Sequence, residues 1–220
     1  MNLGLLIILI TTLGTVSNWL NWRFLDYSVV RWFYYLGAVV HELSHAIFCF
    51  LTRAKIVEIK IFSEKPHVTH TKAKLPIIGE MLISLAPIAG GLLVLFLINK
   101  YFLVGHFRIP EFSNWQDVFL APFKLLPQIN LFSWQSWLTI LLFLNVGAMI
   151  GPSLQDLKNI WPVILILFFF NYSWLANLGL IVIILILTNI LIQFILTLFI
   201  WIIKITVSIA AKKTLVDKPL

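Results

Sequence analysis

Residues 31–53 read RWFYYLGAVVHELSHAIFCFLTR, an apolar run between two arginines that is long enough to cross a bilayer. At its centre stands His41-Glu42-Leu43-Ser44-His45, the pattern H-E-x-x-H. A helix places residues four apart on one face, so His41 and His45 can hold one Zn²⁺ between two neutral imidazoles, with Glu42 beside the bound water. Shuffling this composition would produce the pattern about 0.003 times per chain. Ionisable groups at bilayer depth cost roughly 2.5–3.5 kcal/mol each and are rarely kept without a use. Peptide-bond hydrolysis inside a membrane is the leading reading. The alternatives for the same residues are a hydrogen-bonded cluster between helices, a proton path, or a site for a transported metal.

Working outward, the composition sets the class. The chain is 60% hydrophobic and 11% charged, with a mean hydropathy of +0.98, too little polar surface for a soluble globule. The net charge of +7 is spread between apolar runs, as expected of loop lysines and arginines that orient membrane spans, and carries no nucleic-acid signal. The single cysteine, Cys49, excludes an intrachain disulfide and a thiolate-rich zinc site. The metal ligands must therefore be histidine and carboxylate.

The fold expected is an all-α polytopic membrane protein of about six transmembrane helices, with a short β-hairpin at the membrane surface after the H-E-x-x-H helix. The spans fall at about 2–20, 32–52, 77–98 and 137–149, and the long apolar stretch 160–203 divides into 160–176 and 178–203. Asn171 to Asn177 forms its polar interruption. Between the second and third spans, Val57, Ile59 and Ile61 alternate with Glu58, Lys60 and Phe62. That period of two, with Ser63-Glu64-Lys65-Pro66 before Val68-Thr69-His70-Thr71, predicts a hairpin over 56–71. The third span is broken at Ala86-Pro87 and loosened at Gly90-Gly91. Residues 99–136, rich in proline and aromatics, lie along the interface or form a re-entrant loop. Residues 1–220 form a single integral-membrane domain with a protease-like core at about 30–160. The lysine and arginine bias puts both termini and the hairpin on the cytoplasmic side.

A catalytic zinc needs a third protein ligand and an open position. Asp156, expected just beyond the fourth span and on the side toward which His45 points, is the best-placed carboxylate. Glu80 is the runner-up. The other role open to Asp156 is pairing with Lys158 or capping the following helix. Asn189 and Gln193, one turn apart, most simply join helices. The hairpin histidines His67 and His70, and His106 further on, receive no site.

These residues resemble the site-2-protease group of intramembrane zinc metalloproteases. The resemblance rests on His-Glu-Leu-Ser-His-Ala at 41–46 in a membrane helix, the strand-like Ile56 to Phe62, and a later segment ordered Asn145, Pro152, Asp156. It covers about residues 30–160. Gln155 and Leu157 flank the aspartate where the family usually has Leu and Gly, so the chain reads as a minimal, divergent member. The resemblance implies Zn²⁺ as cofactor, His41, His45 and Asp156 as ligands, and a transmembrane protein or peptide as substrate in the lipid bilayer. Glu42 would be the catalytic base. Asn145 would bind the substrate backbone or the oxyanion if it faces the site, and otherwise would join helices. A substrate unwound from its helix would add to the edge of the hairpin. The rival class is a non-catalytic membrane protein, either a metal carrier or a degenerate protease scaffold. An intact Glu42 argues against the scaffold.

Overall fold

The computed structural model describes residues 2–24, 27–63, 66–103, 108–147, 149–151, 153–169 and 172–216. The Glu64-Lys65 turn, His106, Pro152 and Asn171 lie outside the described residues. Two long helices come first, α1 (Leu3–Phe24) and α2 (Tyr27–Leu51). α2 ends in a Schellman motif. Arg53 adopts the left-handed conformation (φ 56°), and the N–H groups of Arg53 and Ala54 donate to the carbonyls of Phe50 and Cys49 at 3.2 and 2.9 Å. This turn aims the chain into an antiparallel hairpin, β1 (Ile56–Lys60) with β2 (His67–His70). Ile59 lies opposite Val68 and Lys60 opposite His67. The hairpin is tied at its base, where Thr71 N–H donates to the Lys55 carbonyl at 2.8 Å and Lys55 N–H donates to Thr71 Oγ1 at 3.0 Å. The Lys60 and His67 side chains beside Glu58 hold that carboxyl below its usual range.

α3 (Pro76–Tyr101) starts with a proline in its first turn, where no helical N–H is needed, and contains Pro87 in its interior. Within residues 99–136 lies a packed helix, α4 (Trp115–Leu125), capped by Asn114, whose side chain accepts from Asp117 N–H. Its residues Val118, Ala121 and Leu125 are buried in the main core against α7 (Ser173–Val216). α5 (Trp134–Leu142) opens at a Ser133 cap and runs into a π turn, Phe143–Gly147. α6 (Leu154–Leu167) follows.

One expectation is corrected here. The break in the last apolar stretch falls between Leu167 and Ser173, so α6 starts at Leu154 rather than near 160 and Asn177 lies inside α7. The cause is local: Ser153 and Asp156 cap each other and start the helix six residues early. Of the six expected spans, helix length and apolarity support two. Among the described residues two helices are long and apolar enough to cross, Pro76–Tyr101 and Ser173–Val207, while Leu3–Ser17 and Tyr35–Leu51 are shorter apolar stretches. At 14 residues α6 rises only about 21 Å against a hydrocarbon thickness of about 30 Å.

α1 packs along α7, and a buried polar cluster joins them: Asn189 Nδ2 and Gln193 Nε2 donate to Ser17 Oγ at 2.7 and 3.2 Å. α2 lies between α3 and the π turn. Both contacts require glycine. A Cβ at Gly37 would sit 2.0 Å from the Asn145 carbonyl oxygen, and one at Gly90 would sit 1.8 Å from Ser44 Oγ. Close approach on both flanks brings the polar face of α2 within reach of α3 on one side and of the turn into α6 on the other.

Candidate active site

His41 and His45 lie one turn apart on α2 and are both buried, as are Glu42 and Asp156. Each imidazole is anchored through Nδ1 to a backbone carbonyl of another element. His41 Nδ1 lies 2.8 Å from the Met149 oxygen, and His45 Nδ1 lies 2.8 Å from the Ile83 oxygen in α3. A carbonyl only accepts, so each Nδ1 carries the proton and each Nε2 presents a lone pair. The two Nε2 atoms are 3.2 Å apart. Two lone pairs facing at that distance repel unless a cation lies between them.

Asp156 completes the cluster from the first turn of α6. Its Oδ1 is 3.6 Å from His45 Nε2 and its Oδ2 is 4.0 Å from His41 Nε2. Oδ2 also accepts from the N–H and the hydroxyl of Ser153, at 2.8 and 2.6 Å, while Ser153 Oγ accepts from Asp156 N–H at 3.1 Å. The pair is a capping box in which aspartate takes the usual glutamate position. The two roles that the sequence offered for Asp156 are thus compatible, since one carboxylate caps its helix and faces the histidines together. One donor atom from each of the three residues lies within 4.8 Å of the others. Ligands 2.0–2.1 Å from a tetrahedral zinc are separated by about 3.3 Å, so the donor set, its tautomers and its spacing fit that ion with one position left open.

The cluster opens into a cleft of about 790 Å³ whose wall includes β2, Glu80, Ser153 and Asn159. Glu42 lines the same cleft as Val68 and His67 of β2.

The other sequence candidates stand apart from the ligand cluster. Glu80 is on the cleft wall, with Oε1 accepting from Ala73 N–H at 2.8 Å, so it ties the exit of the hairpin to α3. Asn145 is buried in the π turn and its Nδ2 donates to the Leu141 carbonyl at 2.8 Å; it does not line the cleft. Several contributors went unread in the sequence. Ser153 had a signal, the spacing Ser-x-x-Asp that precedes an apolar helix. His67 and His70, given no site, lie on the cleft wall. The carbonyls of Ile83 and Met149 have no side-chain signature.

A buried histidine and carboxylate cluster of metal-binding geometry thus lies in a helical chain that carries two apolar helices of membrane length. A family model described as Peptidase M50B-like matches residues 5–156, and the chain belongs to that family. The match runs from α1 through the H-E-x-x-H helix and ends on Asp156. No curated protein and no solved structure matches the chain. The family and the two long apolar helices mark a membrane protein of a peptidase lineage.

Proposed function

We propose that the protein is an intramembrane zinc metalloprotease that hydrolyses peptide bonds in or near transmembrane segments of membrane-protein substrates. The observation that carries this reading is the convergence of His41 Nε2, His45 Nε2 and the Asp156 carboxylate on one point of a cleft that also holds Glu42. Zn²⁺ held by these three residues would supply Lewis acidity and lower the pKa of a bound water toward about 7. Glu42 takes the proton from the attacking water and returns it to the leaving amine nitrogen. The Ser153 hydroxyl and N–H keep Asp156 turned toward the histidines, and the carbonyls of Met149 and Ile83 keep both imidazoles in one tautomer. A substrate strand laid against β2 would bring its carbonyl past Glu42, with backbone pairing replacing the hydrogen bonds lost when its helix unwinds. Asn145 supports the site from behind by closing the π turn rather than by touching substrate.

In this reading α1, α2, α3, α5 with its π turn, α6 and α7 belong to one membrane domain, with both termini and the hairpin cytoplasmic. α5 and α6 cross only in part, with the first turn of α6 bringing Asp156 to the histidines. The test compares membrane proteins in cells making the native chain with those making Glu42→Gln. A substrate should accumulate uncut with the variant, and the purified variant should keep about one zinc per chain, because Glu42 moves protons and does not bind the ion. Full proteolytic activity in Glu42→Gln would overturn the assignment.

A further inference from the structure

The Ile83 carbonyl that holds His45 is four residues before Pro87, inside α3. In an uninterrupted helix that oxygen accepts from the N–H of the fourth residue on, and proline has none. Ile83 and Pro87 are both buried, and a carbonyl left without its helical donor in apolar surroundings must find another. His45 Nδ1–H is the donor that the structure supplies. The Met149 carbonyl that takes His41 Nδ1–H lies between the π turn and α6, so of the two histidines only His45 meets a carbonyl inside a helix whose donor is missing.

We propose that Pro87 is a positioning residue of the metal site: by withholding an N–H from the Ile83 carbonyl it turns that oxygen toward α2 and fixes His45 in the tautomer whose Nε2 faces His41 and Asp156. A carbonyl can accept twice, so an N–H restored at 87 would not forbid the imidazole contact. It would draw the oxygen back along the axis of α3 and leave His45 free to turn or to change tautomer. The inference rests on the reading of His41, His45 and Asp156 as metal ligands.

The experiment measures Zn²⁺ affinity of the full chain in detergent, by competition with a chromophoric chelator, beside thermal unfolding of the metal-free protein. Four proteins are compared: native, Pro87→Ala, the chain with lactic acid at position 87, and Pro122→Ala. Lactic acid keeps the alanine methyl but puts an ester oxygen where the N–H would be. Pro122 lies inside α4, away from the cleft, and controls for the loss of a helix proline as such. Pro87→Ala should weaken zinc binding about 10–100-fold, the usual cost of losing an outer partner of a metal histidine, without lowering the unfolding temperature of the metal-free protein. The ester variant should return to within about threefold of native and Pro122→Ala should stay there. Native-like affinity in Pro87→Ala overturns the proposal. So does an ester variant as weak as Pro87→Ala, which would assign the effect to the bend of α3 rather than to the missing donor. If Pro87→Ala does not fold, the ester variant decides alone, since retained affinity supports the proposal and lost affinity overturns it. Absence of zinc binding in the native chain would instead remove the reading on which all of this rests.

Discussion

Replacing Asp156 by asparagine sets the two duties of one carboxylate against each other. In the native chain Oδ2 accepts two hydrogen bonds from Ser153, at 2.8 and 2.6 Å, while Oδ1 lies 3.6 Å from His45 Nε2. Asparagine has one oxygen and one NH₂ group at the same places. If the amide oxygen stays with Ser153, the NH₂ group points at the histidine pair and the third ligand is gone. The loss should then exceed the 10–100-fold that follows removal of an outer partner, so at least about 100-fold in zinc affinity, or about 2.8 kcal/mol. If the oxygen turns toward the metal instead, the NH₂ group opposes the Ser153 N–H. Hydrogen bonds to a charged group worth about 1.5–3 kcal/mol each are lost, together with the start of α6. Affinity and metal-free stability therefore trade against each other, and at least one must fall by about 2 kcal/mol. The assay pairs chelator competition for Zn²⁺ with thermal unfolding of the metal-free protein in detergent. Asp156→Asn with zinc affinity within about threefold of native and an unchanged unfolding temperature would refute both the ligand role and the capping role.

Gly37→Ala should be destabilising by about 1–3 kcal/mol, because its Cβ would lie 2.0 Å from the Asn145 carbonyl oxygen and backbone there cannot rotate aside. Denaturant unfolding in detergent reads it, and a neutral result would show that α2 and the π turn are not in close contact. For orientation, single cysteines at the exposed positions Lys55 and Ser113, in a Cys49→Ala background, should label differently in intact cells: Ser113→Cys with an impermeant maleimide at once, Lys55→Cys only after permeabilisation. The opposite order would turn the membrane arrangement over and put the cleft on the outer face.

The hairpin and the motif helix were legible in the sequence because both are local. Alternation at Val57 to Phe62 needs only neighbours to be read, and β1 and β2 form within residues 56–71. Histidines four apart share a face in any helix, whatever it packs against. The length of each span was less legible, since apolar runs do not reveal where a cap will start a helix. The Ser153 and Asp156 box sets α6 at Leu154 through three hydrogen bonds that hydropathy does not register.

By itself, then, the sequence determined a helical, strongly apolar chain with one H-E-x-x-H helix followed by a hairpin, and it narrowed the third donor to a few carboxylates. Which carboxylate stands beside the histidines is a matter of tertiary structure. Asp156 was the first candidate and Glu80 the runner-up, and in the fold Glu80 takes the Ala73 N–H while Asp156 meets imidazoles more than 100 residues away in the chain. Asn145 likewise donates to the Leu141 carbonyl within its own π turn. Pro87 stands between the two kinds of information. Its missing N–H is written in the sequence and implies an unclaimed carbonyl at Ile83, but which donor claims that oxygen depends on the packing of α2 against α3, and that contact brings His45 to it.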